Sequence, residues 1–166
     1  MFDLQTFTLI HVLISIAAFV TGIPLLMAFA RGNARPSLAT ATIVLLVLTS
    51  ATGFAFPFTK ILPSHVFGVL SLAVLAVTYW ARWKASLAGG WRKAYIVTLA
   101  VAIYLDAFVF VVQAFLKVPA LTAIAPTQQS PGFAIAQGVL LVIFVGLGYA
   151  GLRGLGRAAP AVAVVR

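Results

Sequence analysis

Five long apolar runs, separated by short segments that hold most of the charge and half of the prolines, constrain this chain more than any other feature. They cover about 6–30, 37–58, 63–81, 94–116 and 133–152. Each is close to the roughly 20 residues that a helix needs to cross the hydrocarbon core of a bilayer. Only 8% of the residues are charged, against about 25% in ordinary soluble domains, so a water-facing surface cannot be assembled from this composition. The expected fold is all-α: one integral membrane domain over 1–166, a bundle of five transmembrane helices, with a turn-rich loop at 117–132 before the last.

That composition excludes a soluble enzyme and a disordered tail. A net charge of +9 raises nucleic acid as a partner, but the charges flank apolar runs and form no basic stripe with interleaved aromatics. The expected partners are therefore the lipid bilayer and either a protein partner or further copies of the chain. Cysteine is absent, which removes disulfides, iron–sulfur clusters and thiolate metal sites. Glutamate is absent too, and Asp3 and Asp106 are the only acids, too few for a carboxylate-bridged di-metal centre. Met1–Gln5 lacks the positive segment of a secretory signal, and the run after it is too long for a signal core, so an uncleaved first span is expected.

Basic residues in the loops orient a multi-pass protein. With the N-terminus outside, the cytoplasmic segments hold Arg31, Arg35, Arg82, Lys84, Arg92, Lys93, Arg153, Arg157 and Arg166, against Lys60 and Lys117 on the outer side. Trp80, Trp83 and Trp91 fall at the same inner interface. The expectation is N-out and C-in. Small and hydroxylated residues, which let helices approach in lipid, mark contact faces: Ser15, Ala18 and Gly22; Thr42, Thr49, Thr52 and Gly53; Gly146 and Ala150 with Gly148, Gly151 and Gly154. Pro24 is expected to kink the first helix.

Asp106 stands out among the polar residues. It lies roughly 16–20 Å along its helix from either end, and an acid at that depth costs about 2.5–3.5 kcal/mol to insert. No Lys or Arg lies inside a span to pair with it. It is expected to be protonated or cation-bound; a neutral acid bonded to a neighbouring Ser or Thr is the structural alternative. Tyr95, Asp106, Gln113 and Lys117 recur near the helical period and form one stripe. With Gln137 on the last helix, they suggest a polar cleft open to the outer side, binding a ligand or proton.

His11 and His65 each enter from the outer side, on the first and third helices. Two facing imidazoles can hold haem b or a metal ion; a structural or proton-handling role is the other reading. Ser64 and His65 are sequence neighbours, a poor geometry for a nucleophile and its base. No metalloprotease, nucleophile-elbow or phosphate-loop motif is present.

Two segments carry a family likeness: Thr52-Gly53-Phe54-Ala55-Phe56-Pro57 with Leu62-Pro63-Ser64-His65, and Val112–Leu121 leading to Ala125-Pro126-Thr127-Gln128. Together they resemble a group of small, uncharacterised polytopic membrane proteins of bacteria. The resemblance implies a multi-pass protein of the bacterial inner membrane and no activity. Three functional expectations follow: a non-enzymatic subunit or accessory component of a larger membrane complex, a small transporter or ligand-binding protein using Asp106, and an electron-transfer protein using His11 and His65.

Overall fold

The structure, a computed structural model, describes residues 3–57 and 63–155, with Pro63 and Ser64 described in backbone only. Its described residues are helical, without strands. Helix α1 spans Leu4–Ala30, α2 Pro36–Gly53, α3 Pro63–Tyr79, α4 Trp91–Lys117, α5 Pro119–Ile124 and α6 Pro131–Gly154; a short π-helical turn, Trp80–Lys84, continues α3. Five of these segments are long and apolar enough to cross a membrane.

Local chemistry sets the ends. Asp3 caps α1 by accepting the Thr6 backbone N–H at 2.6 Å, and that bond holds its carboxyl below the usual carboxylate range. Gly32, with φ +74°, lets the chain leave α1 while its N–H and that of Asn33 satisfy the Phe29 and Ala28 carbonyls. Proline opens α2, α5 and α6, where its missing N–H costs nothing.

The boundaries depart from the sequence expectation in three places. Helix α2 stops at Gly53 rather than near Phe58, since Pro57 biases the residue before it away from helix. Phe58 itself, like Lys60, Arg157 and Arg166, lies outside the described residues. The loop expected over Arg82–Lys93 shrinks to residues 85–90, because the π turn carries the third span through Lys84 and α4 starts at Trp91. The loop expected over 117–132 contains helix α5, whose Thr122 hydroxyl donates to Phe115 O at 2.7 Å and ties it to α4. Pro24 lies inside α1, which continues to Ala30.

Successive spans run antiparallel, so α4 packs against all four others and α1 against α2, α4 and α6. At the N-terminal end Phe7 meets Phe56, and Phe115 meets Phe133. At the opposite, basic end Phe29 meets Tyr95. The buried seam is built on small residues. Ser15, Ala18 and Gly22 are buried on α1, and a Cβ on Gly22 would stand 2.8 Å from Ile103 Cγ2. On α6, Gly148 faces Ala100, Gly151 faces Ile96 and Phe29, and Gly154 lies against the backbone carbonyls of Phe29 and Ala30. Gly146 faces away from that seam, with nothing within 4 Å of its Cβ position among the described residues. Large apolar side chains such as Val20, Val66, Ile135 and Val142 point outward, the arrangement a lipid solvent permits and water does not.

Candidate functional site

An apolar surrounding forces each hydroxyl to find a partner, and most threonines find one within their own helix. Thr42, Thr78 and Thr98 donate to the carbonyl four residues back at 2.9, 3.0 and 2.8 Å. The exceptions identify the site. Among the described residues, three buried side-chain oxygens have no partner: Thr49 Oγ1, Asp106 Oδ2 and Gln137 Oε1.

They share one layer of the bundle. The Ser15 hydroxyl donates to Asp106 Oδ1 at 3.0 Å, which sets α1 against α4 at this depth. His11 Nδ1 lies 2.8 Å from Thr52 Oγ1. One turn further in along both antiparallel helices, this register places Thr49 at the level of Ser15. On α6, the Gln137 amide donates to Phe108 O at 3.2 Å, two residues along from Asp106. Aspartate, threonine and glutamine thus present unfilled acceptor capacity at one depth, from three helices. Buried polar atoms of this kind call for a donor: a proton, a cation, or a ligand carrying N–H or O–H.

Above this layer sits His11, one turn from Ser15 on the same face of α1. The proton of Thr52 goes to a backbone carbonyl, Leu48 O at 2.7 Å. Nδ1 of His11 is therefore the donor to Thr52, and Nε2 of the neutral ring is left as the acceptor. The α4 stripe meets α1 at Tyr95, which packs on Phe29, and at Asp106, which bonds Ser15, with Lys117 at the far end of the stripe. Gln113 is partly buried between the last two, and Lys117 itself is exposed.

Tyr95 belongs to a different constellation at the basic end. Its hydroxyl accepts from Arg82 Nη1 at 3.1 Å, while Arg82 Nη2 donates to Pro36 O and Thr40 Oγ1, each at 2.9 Å. Nothing in the sequence singled out Arg82 from the other loop cations. Its position in a π turn, which rotates the following side chains relative to an α-helix, was the missing signal.

The two histidines approach the same end of α2. The His11 ring stands edge-on to Phe56 at 5.1 Å, and His65 lies 6.0 Å from Phe54. Among the described residues no group of three or more His, Asp or Glu side chains converges on one point. What comes together is Ser15 and Asp106, with Thr49 at the same level by helical register and Gln137 on α6 at Phe108.

Removing the one donor to Asp106 tests this geometry. Ser15→Ala is expected to destabilise the protein by about 1–2 kcal/mol, because the carboxyl keeps its desolvation penalty and loses its partner. Adding Asp106→Leu should recover most of that loss, since replacing both partners by apolar groups is nearly neutral. Chemical unfolding in mild detergent reads both; additive losses in the double variant would mean that the two side chains do not interact. Comparison with protein-family models, with curated proteins and with solved structures finds no match to this chain.

Proposed function

We propose that this chain is a multi-pass protein of the bacterial inner membrane, N-terminus outside and C-terminus cytoplasmic, of the transporter or ligand-binding class, in which Asp106 is the proton-binding group. The orientation rests on charge: Arg31, Arg35, Arg82, Lys84, Arg92, Lys93 and Arg153 sit at the basic end of the described bundle, and positive residues are retained on the cytoplasmic side. The functional reading rests on one observation, the partnerless Oδ2 of Asp106 inside a bundle whose spans contain no Lys or Arg near it. An intramembrane carboxyl that only packed helices together would have both oxygens bonded.

Within this reading Ser15 positions the carboxyl, and Thr49 and Gln137 offer the further acceptors that a donor-bearing ligand takes. His11 and Lys117 line the outer approach. The chain is unusually suited to a direct test, because it has only two side-chain carboxyls, Asp3 and Asp106. A pH-dependent carbonyl-stretch band of a protonated carboxyl in infrared difference spectra, lost in Asp106→Asn, assigns the proton to Asp106. Vesicles holding a pH-sensitive dye should take up protons under an imposed potential with the parent chain and not with Asp106→Asn, although the variant stays folded. An Asp106→Asn protein that keeps full uptake, or is indifferent while co-purifying with a larger complex, would return the chain to the class of accessory subunits.

A further inference from the structure

We infer that the basic end of the α3–α4 hairpin is a binding surface for the headgroups of anionic phospholipids, with Lys84 and Lys93 as the charges that meet the lipid phosphate. Charge and depth carry this together. The only acids of the chain are Asp3, at the opposite end, and Asp106, in the middle of α4, so no Asp or Glu of the chain is available to neutralise Lys84 or Lys93. Both lysines are exposed. Arg82 is not part of this surface, because its guanidinium is spent on Tyr95, Pro36 and Thr40.

Depth is set by the aromatics. Trp80, Trp83 and Trp91 are 53, 42 and 41% exposed, and indole rings at the end of a span mark the headgroup level. Lys84 follows Trp83, and Lys93 lies two residues beyond Trp91. The turn between the two helices is short and held by its own backbone. Ala85 N–H donates to Trp80 O, Leu87 to Ala81 O, Ala88 to Ala85 O and Trp91 to Ala88 O, all at 2.9–3.0 Å. The two ammonium groups are therefore carried at the headgroup level by hydrogen-bonded helix ends, and their attraction to lipid phosphate is screened over about 8 Å at physiological salt.

Each Lys or Arg close to an anionic leaflet is worth about a fivefold change in occupancy. The three tryptophans of the chain all lie at this hairpin, so intrinsic fluorescence reports lipid contact here and nowhere else. The experiment reconstitutes the full chain in vesicles of phosphatidylglycerol and phosphatidylcholine, with one or the other brominated near the headgroup, and compares quenching. The expected preference for phosphatidylglycerol is about 25-fold, fivefold for each of the two lysines, collapsing at 1 M salt. Lys84→Gln with Lys93→Gln should bring it to within about twofold of unity, and Lys84→Arg with Lys93→Arg should keep it.

Equal quenching by the two lipids overturns the inference, as does a preference that survives the double Gln variant. Competition by inorganic phosphate at millimolar concentration overturns the lipid as the source and leaves a free-anion site. The inference rests on the chain spanning a bilayer and is independent of Asp106. Quenching by neither brominated lipid would sink the membrane reading itself, which separates that failure from this one.

Discussion

Arg82→Ala is expected to lower the unfolding free energy by about 3 kcal/mol, the largest single loss at the basic end. The guanidinium donates to three acceptors on two other helices, Tyr95 Oη, Pro36 O and Thr40 Oγ1, and lies 4.7 Å over the Trp83 ring. Hydrogen bonds from a charged donor contribute about 1.5–3 kcal/mol each. Their sum is discounted here because Arg82 is only partly buried and the bonds are coupled. What remains is dominated by Tyr95, 3% exposed, whose hydroxyl would keep its burial and lose its partner. Arg82→Lys should recover less than half, since an ammonium on a flexible stem cannot span acceptors that a planar fork reaches at once. Tryptophan-monitored unfolding in mild detergent reads the effect beside Trp83. A loss under about 1 kcal/mol would mean that Arg82 is a solvated rim cation like any other.

Gly22→Leu is expected to cost at least about 3 kcal/mol and to disturb the polar layer as well. The Cβ of any replacement meets Ile103 Cγ2 at 2.8 Å, and Ile103 is fully buried, with no free space to swing into. The remaining atoms of a leucine can be placed only by moving α1 off α4. That movement stretches the Ser15–Asp106 bond two turns away. Gly22→Ala is the milder probe, expected at about 1 kcal/mol, and Ile103→Val in the same chain should relieve part of it. The readouts are the unfolding midpoint and the infrared carboxyl band of Asp106, which should shift in Gly22→Leu. A Leu variant with parent-like stability and an unshifted band would show that α1 and α4 do not approach this closely in the membrane.

Much of the architecture is legible without coordinates, because lipid as a solvent leaves few options. Backbone groups that cannot reach water must bond within helices, so five apolar runs of sufficient length translate into five candidate spans with ends good to a few residues. The errors fell at α2, the π turn and α5, where the outcome depends on turn geometry rather than hydropathy. Ser15, Ala18 and Gly22, marked by size alone, are all buried on α1, whereas on α6 Gly146 faces out and Gly148, Gly151 and Gly154 face in. Periodicity gives a face, but two small-residue faces on one helix look alike until the neighbours are in place.

The candidate site divides along the same line. An acid in a span and its stripe with Gln113 and Lys117 follow from residue type and helical spacing, both local properties of the chain. The partners are not local. Ser15 and Asp106 are separated by 91 positions, and whether a hydroxyl, a backbone carbonyl or nothing meets each buried oxygen depends on interhelical register to a fraction of a turn. Hydropathy alone determines that this chain becomes a bundle of apolar helices with its charge at the ends. Packing alone decides that Arg82 serves Tyr95 and α2, that His11 serves Thr52, and that Asp106 keeps one oxygen unfilled, because hydrogen bonds act over about 3 Å while sequence patterns fix positions only to a face.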